Sequence, residues 1–165
     1  MRADLTILLF ASLTNGQYIG DMDKKIVDQV RQIRNKVVKN YYAMRLNASG
    51  RFDRETIVTD YGSGVKIEAP AYVFQMEQGR SAGTMPPIKA IKQWIKDKNA
   101  NAGTDIPEEA AYAIAYVIKR DGIRVPNRNN AGGVVSSLLN DAEVKRMTAE
   151  VNEIIKAEIL KILTK

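Results

Sequence analysis

Two absences limit the chemistry that this sequence can perform. The 165 residues contain no histidine and no cysteine, which removes the commonest general base, the commonest metal ligand and every thiolate. Disulfides, zinc sites and Ser-His-Asp or Cys-His catalysis are therefore excluded by the residue inventory. We predict no catalytic residue, no cofactor site and no metal site, and we do not expect an enzyme.

Acidic residues that occur close together are better explained by helix ends than by paired acid–base catalysis. Glu108 and Glu109 lie at the N-terminal end of one predicted helix, and Asp21 and Asp23 lie at the start of another. The partial positive charge at a helix N-terminus favours carboxylates at such positions. Other carboxylates fall in and around the predicted strands without the spacing of a calcium loop, namely Asp53, Glu55, Asp60, Glu68 and Glu77.

Two glycine-rich segments, residues 62–64 and 79–83, have the flexibility of a phosphate-binding loop but not its chemistry. Such a loop ends in Gly-Lys-Ser or Gly-Lys-Thr, because the lysine and the hydroxyl contact the phosphates and the magnesium ion. Neither segment has that ending, so we interpret both as turns.

The formal net charge of +6 at pH 7 permits a nucleic-acid partner or an acidic protein partner. The lysines and arginines are scattered, however, and a solvated basic surface is the simpler explanation. No apolar run approaches the ~20 residues of a membrane-spanning helix, so we expect no membrane partner. The apolar run at residues 6–13 fits a strand or a short buried helix. Together with Leu5 it lacks the clean cleavage site of a signal peptide.

The first helix is predicted by an apolar repeat that begins after Asp21 or Asp23, either of which serves as its cap. The repeat has the spacing of one helical face and consists of Ile26, Val30, Ile33, Val37 and Tyr41. The helix is expected to end at about Ala43 or Arg45, before the break at residues 47–50.

Three segments rich in β-branched and aromatic residues follow and predict a small antiparallel meander. They are residues 56–61, 64–68 and 72–77, with a tight turn at residues 62–63 between the first two. The third segment is also compatible with a short helix.

The most distinctive stretch is a glycine- and proline-rich arm, residues 79–87, which leads into an amphipathic helix from about Pro87. The apolar face of this helix consists of Ile88, Ile91, Trp94 and Ile95. Because Trp94 lies on that face, we expect it to anchor the helix in the core. Residues 99–104 then read as a polar linker.

An alanine-rich helix comes next, with Thr104 or Asp105 as its cap, Pro107 in its first turn and Gly122 just after its end. Its small residues predict close packing at the centre of the fold. The last helix starts near Asn140 or Asp141 and carries an apolar stripe of Val144, Met147, Val151, Ile154, Ile155, Ile159 and Ile162.

Three tyrosines, Tyr41, Tyr42 and Tyr61, carry the ring that single-strand nucleic-acid binders use for base stacking. No pattern of arginines accompanies them, so we interpret them as core residues.

These elements predict a single α+β domain over residues 1–165. A small antiparallel β-meander packs against three or four helices, of which the first and the last are long. Residues 1–20 form an N-terminal extension, residues 123–139 a loop and residues 140–165 the C-terminal helix.

Several of these segments resemble, in the same order, the head–tail joining family of tailed bacteriophages, whose members are also called tail-completion or minor tail component proteins. The similar features are Tyr72 followed by Glu77-Gln78-Gly79, the Pro86-Pro87 segment with Ile91 and Trp94, and the alanine-rich helix that closes at Gly122. The resemblance covers roughly residues 26–122. After Gly122 the chain departs from the family pattern, and it has extra residues before the first helix.

The resemblance implies an adaptor rather than a catalyst. A protein of this family would form a homo-oligomeric ring, sixfold or twelvefold, in the neck of the virion. The ring would join the portal-connector to the tail-tube proteins and would surround the channel through which the genomic DNA passes. The chain would be made in the cytoplasm of the bacterial host. The alternatives are a basic nucleic-acid-binding module outside the virion, and a small hydrolase that uses neither histidine nor cysteine.

Two turn-rich loops, residues 79–87 and 124–133, are the candidate contact surfaces of such a ring. Polar loops that exceed a minimal connection often carry contacts to partners. The candidate interface residues are Arg80, Ser81, Gly83, Thr84, Met85, Arg124, Asn127, Arg128, Asn129 and Asn130.

Overall fold

The structure, a computed structural model, describes residues 2–5, 19–61 and 64–164. The predictions for the apolar run at residues 6–13 and for the turn at residues 62–63 lie outside the described residues. In chain order the elements are β1 (Arg2–Leu5), α1 (Ile19–Ala43), α2 (Arg51–Glu55), β2 (Ile57–Asp60), β3 (Val65–Pro70), α3 (Val73–Gln78), α4 (Ile88–Ala102), α5 (Ala110–Asp121) and α6 (Asp141–Leu163).

The sheet is antiparallel, with the strand order β1-β3-β2. β2 and β3 form the predicted hairpin, in which Asp60 is opposite Val65. The third strand is β1, with Arg2 opposite Pro70. The α+β class is therefore confirmed, but part of the predicted N-terminal extension belongs to the sheet. Residues 73–78 form α3, so the short-helix interpretation of the third segment is correct and the strand interpretation is wrong.

The helix α1 is the central element of the hydrophobic core. Its 25 residues give it a length of about 37 Å, and it packs against β2, β3 and α6. All the residues predicted for its apolar face are buried, namely Ile26, Val30, Ile33, Val37 and Tyr41. The helix begins at Ile19, before both Asp21 and Asp23, so neither of these is its cap. They lie instead inside the N-terminal end of the helix, where negative charge is also favourable.

The short helix α2 was not predicted, and it closes one end of the core. Phe52 is fully buried there, with its ring centroid 4.5 Å from that of Tyr41. The guanidinium of Arg34 donates hydrogen bonds to the carbonyl oxygens of Thr56 at 2.8 Å and Asp53 at 2.5 Å. One side chain of α1 thus fixes the path of the chain into β2.

Only one of the three tyrosines interpreted as core residues is buried. Tyr41 is 4% exposed, whereas Tyr42 and Tyr61 are exposed by 41% and 57%. The interpretation is wrong for the latter two. Tyr42 follows Tyr41, which occupies the buried position of α1, and Tyr61 lies just after the exposed end of β2 at Asp60.

The helices α4 and α5 form a helical hairpin, in which each helix packs mainly against the other. Its buried side chains are Ile95, Ala111 and Ala115, none of which belongs to the main hydrophobic core. The prediction of a centrally packed alanine-rich helix is therefore wrong. Trp94 is 39% exposed and is not a core anchor, because the adjacent Ile95 takes the buried position.

The connection between α4 and α5 lies later in the chain than predicted, because α4 continues to Ala102 and α5 begins only at Ala110. The side chain of Asn99 stabilises this arrangement. It donates to the carbonyl of Ile106 at 2.8 Å, and its oxygen accepts from the N–H of Ile106 and the hydroxyl of Thr104. Side-chain bonds to the backbone of this kind favour asparagine at helix ends. The polar linker and the caps at Thr104 and Asp105 are thus both wrong.

The helix α6 begins as predicted, because the Asn140 side chain accepts a hydrogen bond from the N–H of Glu143 at 3.0 Å. Met147 and Val151 of its stripe are buried against the core, while Val144 and Ile159 are exposed. Among the described residues, no helix combines the length and the apolar character that crossing a membrane requires.

Candidate assembly surface

The fold brings the two candidate contact loops together. Arg80 and Ile123 form an isolated antiparallel bridge, in which each backbone N–H donates to the carbonyl of the other at 2.8 Å. The arm at residues 79–87 and the loop at residues 124–133 consequently leave the same point of the molecule. We call the surface that they share the paired-loop surface.

The bridge forms only because glycine stands at one flank of each of its two segments. Gly79 has φ +79°, and a Cβ there would lie 2.0 Å from the carbonyl oxygen of Ile123. Gly122 has φ +72°, and a Cβ there would lie 2.3 Å from the carbonyl oxygen of Arg80. Both backbone conformation and close approach therefore require glycine at the two positions.

Two hydrogen bonds fix the conformation of the arm, one from its backbone and one from the side chain of Arg80. The N–H of Gly83 donates to the carbonyl of Lys119 at 2.7 Å, which fastens the arm to the end of α5. The guanidinium of Arg80 donates to the carbonyl of Thr84 at 2.7 Å, so this predicted interface residue also shapes its own loop. Ser81, Gly83 and Thr84 are exposed, whereas Met85 is half-buried.

The second loop is shaped by two of its three asparagines. The side-chain oxygen of Asn127 accepts from the N–H groups of Asn129 and Asn130, and its amide donates to the carbonyl of Arg124 at 2.6 Å. The amide of Asn130 donates to the carbonyl of Met76 at 2.8 Å, which ties the loop to α3. Arg124, Asn129 and Arg128 are exposed.

Glu77 organises the base of this surface, a role that the sequence did not indicate. Its two carboxylate oxygens accept from the N–H of Val135 at 2.5 Å and from the hydroxyl of Ser136 at 2.8 Å. Val134 and Val135 are buried, so the end of the predicted loop at residues 123–139 is part of the core. The amide of Asn40 on α1 donates to the carbonyls of Gly133 and Val134 and holds the same turn from the other side.

The neighbouring glutamates Glu108 and Glu109 do not act as a pair. Glu108 forms ion pairs with Lys92 at 3.1 Å and Lys96 at 3.2 Å of α4. Hydrogen bonds from these two lysines hold the pKa of Glu108 below its ordinary value. Glu109 occupies the N-cap position of α5, but its side chain accepts no capping hydrogen bond. Their position at a helix start is confirmed, and side-chain capping is not.

A row of aromatic and aliphatic side chains is exposed beside the paired-loop surface. Tyr112, Tyr116, Val117 and Ile123 are 64%, 50%, 44% and 37% exposed. A shallow depression next to them is lined by Ala82, Gly83, Tyr116, Lys119 and Arg120. One signal in the sequence indicates this face, since the tyrosines follow the buried alanines Ala111 and Ala115 at each turn and must point away from α4.

Nothing in the described part of the chain gathers three or more acidic groups in a position to hold a metal ion. The chain matches no family model, no curated protein and no solved structure in the comparisons made. The paired-loop surface and the exposed face of α5 are the candidate contact surfaces among the described residues.

Proposed function

We propose that this chain is a structural subunit of the neck of a tailed bacteriophage. In this proposal several copies form a ring, sixfold or twelvefold, between the portal-connector and the tail tube, around the path of the DNA. The proposal rests on the resemblance of residues 26–122 to head–tail joining proteins. The observation that carries it is the bridge between Arg80 and Ile123, because it unites the two candidate contact loops into one surface.

The mechanism of such a subunit is geometric. A ring needs a heterologous contact, in which one surface of a subunit meets a different surface of its neighbour and the rotation closes. The paired-loop surface is suited to this task because its backbone is fixed by internal hydrogen bonds, while Arg124 and Arg128 are exposed. Preorganised loops lose little conformational entropy when a partner binds. Exposed arginines favour acidic faces of neighbouring proteins or the phosphates of passing DNA.

The proposal is tested by the copy number in purified particles from the source of the sequence. Quantitative peptide mass spectrometry is expected to give the count of one ring per particle, far below that of the capsid protein. Absence of the chain from intact particles would contradict the proposal.

A charge reversal tests the paired-loop surface itself. Arg128 is the better site for it than Arg80, because the Arg80 side chain also closes its own loop. Arg128→Glu is expected to impair assembly into particles, whereas Arg31→Glu on the exposed side of α1 serves as the charge-matched control. Normal incorporation of both variants would count against this surface.

One observation favours the alternative, a nucleic-acid-binding module. Lys119 and Arg120 lie in the same depression as the exposed ring of Tyr116, and cations beside an aromatic ring suit single-stranded nucleic acid. An affinity of the isolated chain for single-stranded DNA that falls steeply with salt concentration would support this alternative.

A further inference from the structure

The exposed face of α5 has a charge order that is complementary to its own reverse. Six exposed residues follow each other at i, i+3, i+4, i+7, i+8 and i+11, which places them on one face of a helix. They are Glu109, Tyr112, Ala113, Tyr116, Val117 and Arg120. An acidic residue begins the face, a basic residue ends it, and apolar side chains lie between.

Most of this face is left uncovered by the described residues of the same chain, and the arm borders it only beside Tyr116 and Arg120. α4 covers the opposite side of α5, where Ala111 and Ala115 are buried. Tyr112 is 64% exposed and Tyr116 50%, which is a large apolar area to leave in water. Among the described residues, Glu109 makes no ion pair, and Arg120 pairs only with the adjacent, exposed Asp121.

We infer that two copies of this chain pack through this face, with the two α5 helices antiparallel about a twofold axis. An isologous contact uses the same patch on both copies and must therefore be complementary to its own reverse. Antiparallel packing places Glu109 opposite Arg120, Tyr112 opposite Val117 and Ala113 opposite Tyr116. Each pair occurs twice by symmetry, and each large ring of Tyr116 meets the small side chain of Ala113.

Charge complementarity selects the antiparallel arrangement over the parallel one. In a parallel pair Glu109 would face Glu109 and Arg120 would face Arg120, so both ends would repel. In the antiparallel pair both ends attract. In the dimer Arg120 pairs with Glu109 of the other copy and no longer with Asp121. One exposed ion pair replaces another, so the free energy of association changes little.

The inference does not rest on the proposed ring. The ring contact is heterologous and is proposed for residues 79–87 and 124–133, whereas the α5 contact is isologous. The two contacts are disrupted by different variants. Arg120→Glu is expected to weaken the α5 contact, whereas Arg128→Glu is expected to leave it intact.

The first experiment is a charge swap in the full-length chain, read out by sedimentation velocity over a range of concentrations. Glu109→Arg and Arg120→Glu alone are each expected to weaken dimerisation on the order of tenfold, because each creates two like-charged pairs. The double variant is expected to restore it. The exposed pair on α6 supplies the control variants Glu153→Lys and Lys156→Glu, which should dimerise as the parent chain does.

The second experiment uses the absence of native cysteines. Two single variants, Glu109→Cys and Arg120→Cys, are purified separately and then mixed under oxidising conditions. A disulfide between chains is expected only in the mixture, because positions 109 and 120 lie about 16 Å apart on one helix and meet only across the axis. The intact Arg120 of one chain still faces the intact Glu109 of the other.

Three results would overturn the inference. The first is a parent chain that stays monomeric at all concentrations. The second is a double charge swap that fails to restore association. The third is a disulfide that forms as readily within either variant alone as in the mixture, since that would indicate a parallel or unspecific contact.

Discussion

Gly79 and Gly122 flank the bridge that joins the two halves of the paired-loop surface, and each lies too close to the segment of the other to carry a side chain. A Cβ on Gly79 would strike the carbonyl oxygen of Ile123, the residue after Gly122, at 2.0 Å. A Cβ on Gly122 would strike the carbonyl oxygen of Arg80, the residue after Gly79, at 2.3 Å. Two segments far apart in the sequence therefore meet at a point where neither tolerates a side chain.

The first prediction follows from this geometry. Gly79→Ala is expected to lower the free energy of unfolding by about 3 kcal/mol or more, because backbone clash adds to the strain of a positive φ. The control is Gly103→Ala, which has φ +63° but nothing within 4 Å of the new Cβ, and should cost about 1 kcal/mol. Urea unfolding of both variants measures the difference, and equal costs would contradict the clash.

The second prediction concerns Glu77. Glu77→Gln is expected to lower the free energy of unfolding by about 1–3 kcal/mol, since the charged acceptor of the Val135 N–H and the Ser136 hydroxyl is lost. Glu153→Gln removes a charge from a pair that is 3.9 Å apart and exposed, and should change stability by less than about 0.5 kcal/mol. Thermal unfolding distinguishes the two, and a Glu77 variant as stable as this control would refute the assigned role.

The third prediction separates two neighbours on α4. Ile95 is 1% exposed and Trp94 is 39% exposed. Ile95→Ala is expected to cost about 2–5 kcal/mol through the cavity that it leaves, and Trp94→Ala clearly less. If the tryptophan were the core anchor that the sequence pattern favours, the Trp94 variant would lose more free energy of unfolding than the Ile95 variant. Chemical unfolding followed by circular dichroism is suitable, because one variant lacks the tryptophan signal.

The fourth prediction concerns Arg34, whose planar guanidinium reaches the carbonyls of Thr56 and Asp53 and the carboxylate of Asp53 at once. Arg34→Lys is expected to destabilise the fold by about 1–2 kcal/mol, because an ammonium group lacks this fork geometry. Arg31→Lys, at a site where the arginine is exposed and pairs within its own helix, should leave the unfolding midpoint unchanged. A midpoint for Arg34→Lys equal to that of the parent would show that the fork adds nothing.

The fifth prediction is a pH dependence. A hydrogen bond from Arg146, assisted by Lys36 on α1, lowers the pKa of Glu143 from 4.5 to about 2. A depressed pKa means that the charged form is stabilised by folding, so this contribution is complete above pH 4.5 and is lost between pH 4.5 and pH 2. The parent chain should therefore lose its stability advantage over Glu143→Gln across this window. A difference between the two that stays constant from pH 6 to pH 2.5 would contradict the assignment.

The sequence by itself determined several of the local elements. The apolar repeat of α1 named its buried residues, because a helical face is encoded by spacing alone. The positions of the β2–β3 hairpin, of the Asn140 cap and of the glycine after α5 followed in the same way, since caps and turns depend on a few adjacent residues. The α+β class followed from the order of these elements.

The tertiary structure decided which apolar faces find a partner. Trp94 and Ile95 both lie near the apolar side of α4, and only the packing against α5 buries one and exposes the other. β1 became the third strand because β3 has a second edge to pair, which no pattern within residues 2–5 reveals. The bridge between Arg80 and Ile123 joins residues that are distant in the sequence. From the sequence alone, the flanking Gly79 and Gly122 are therefore indistinguishable from ordinary turn residues.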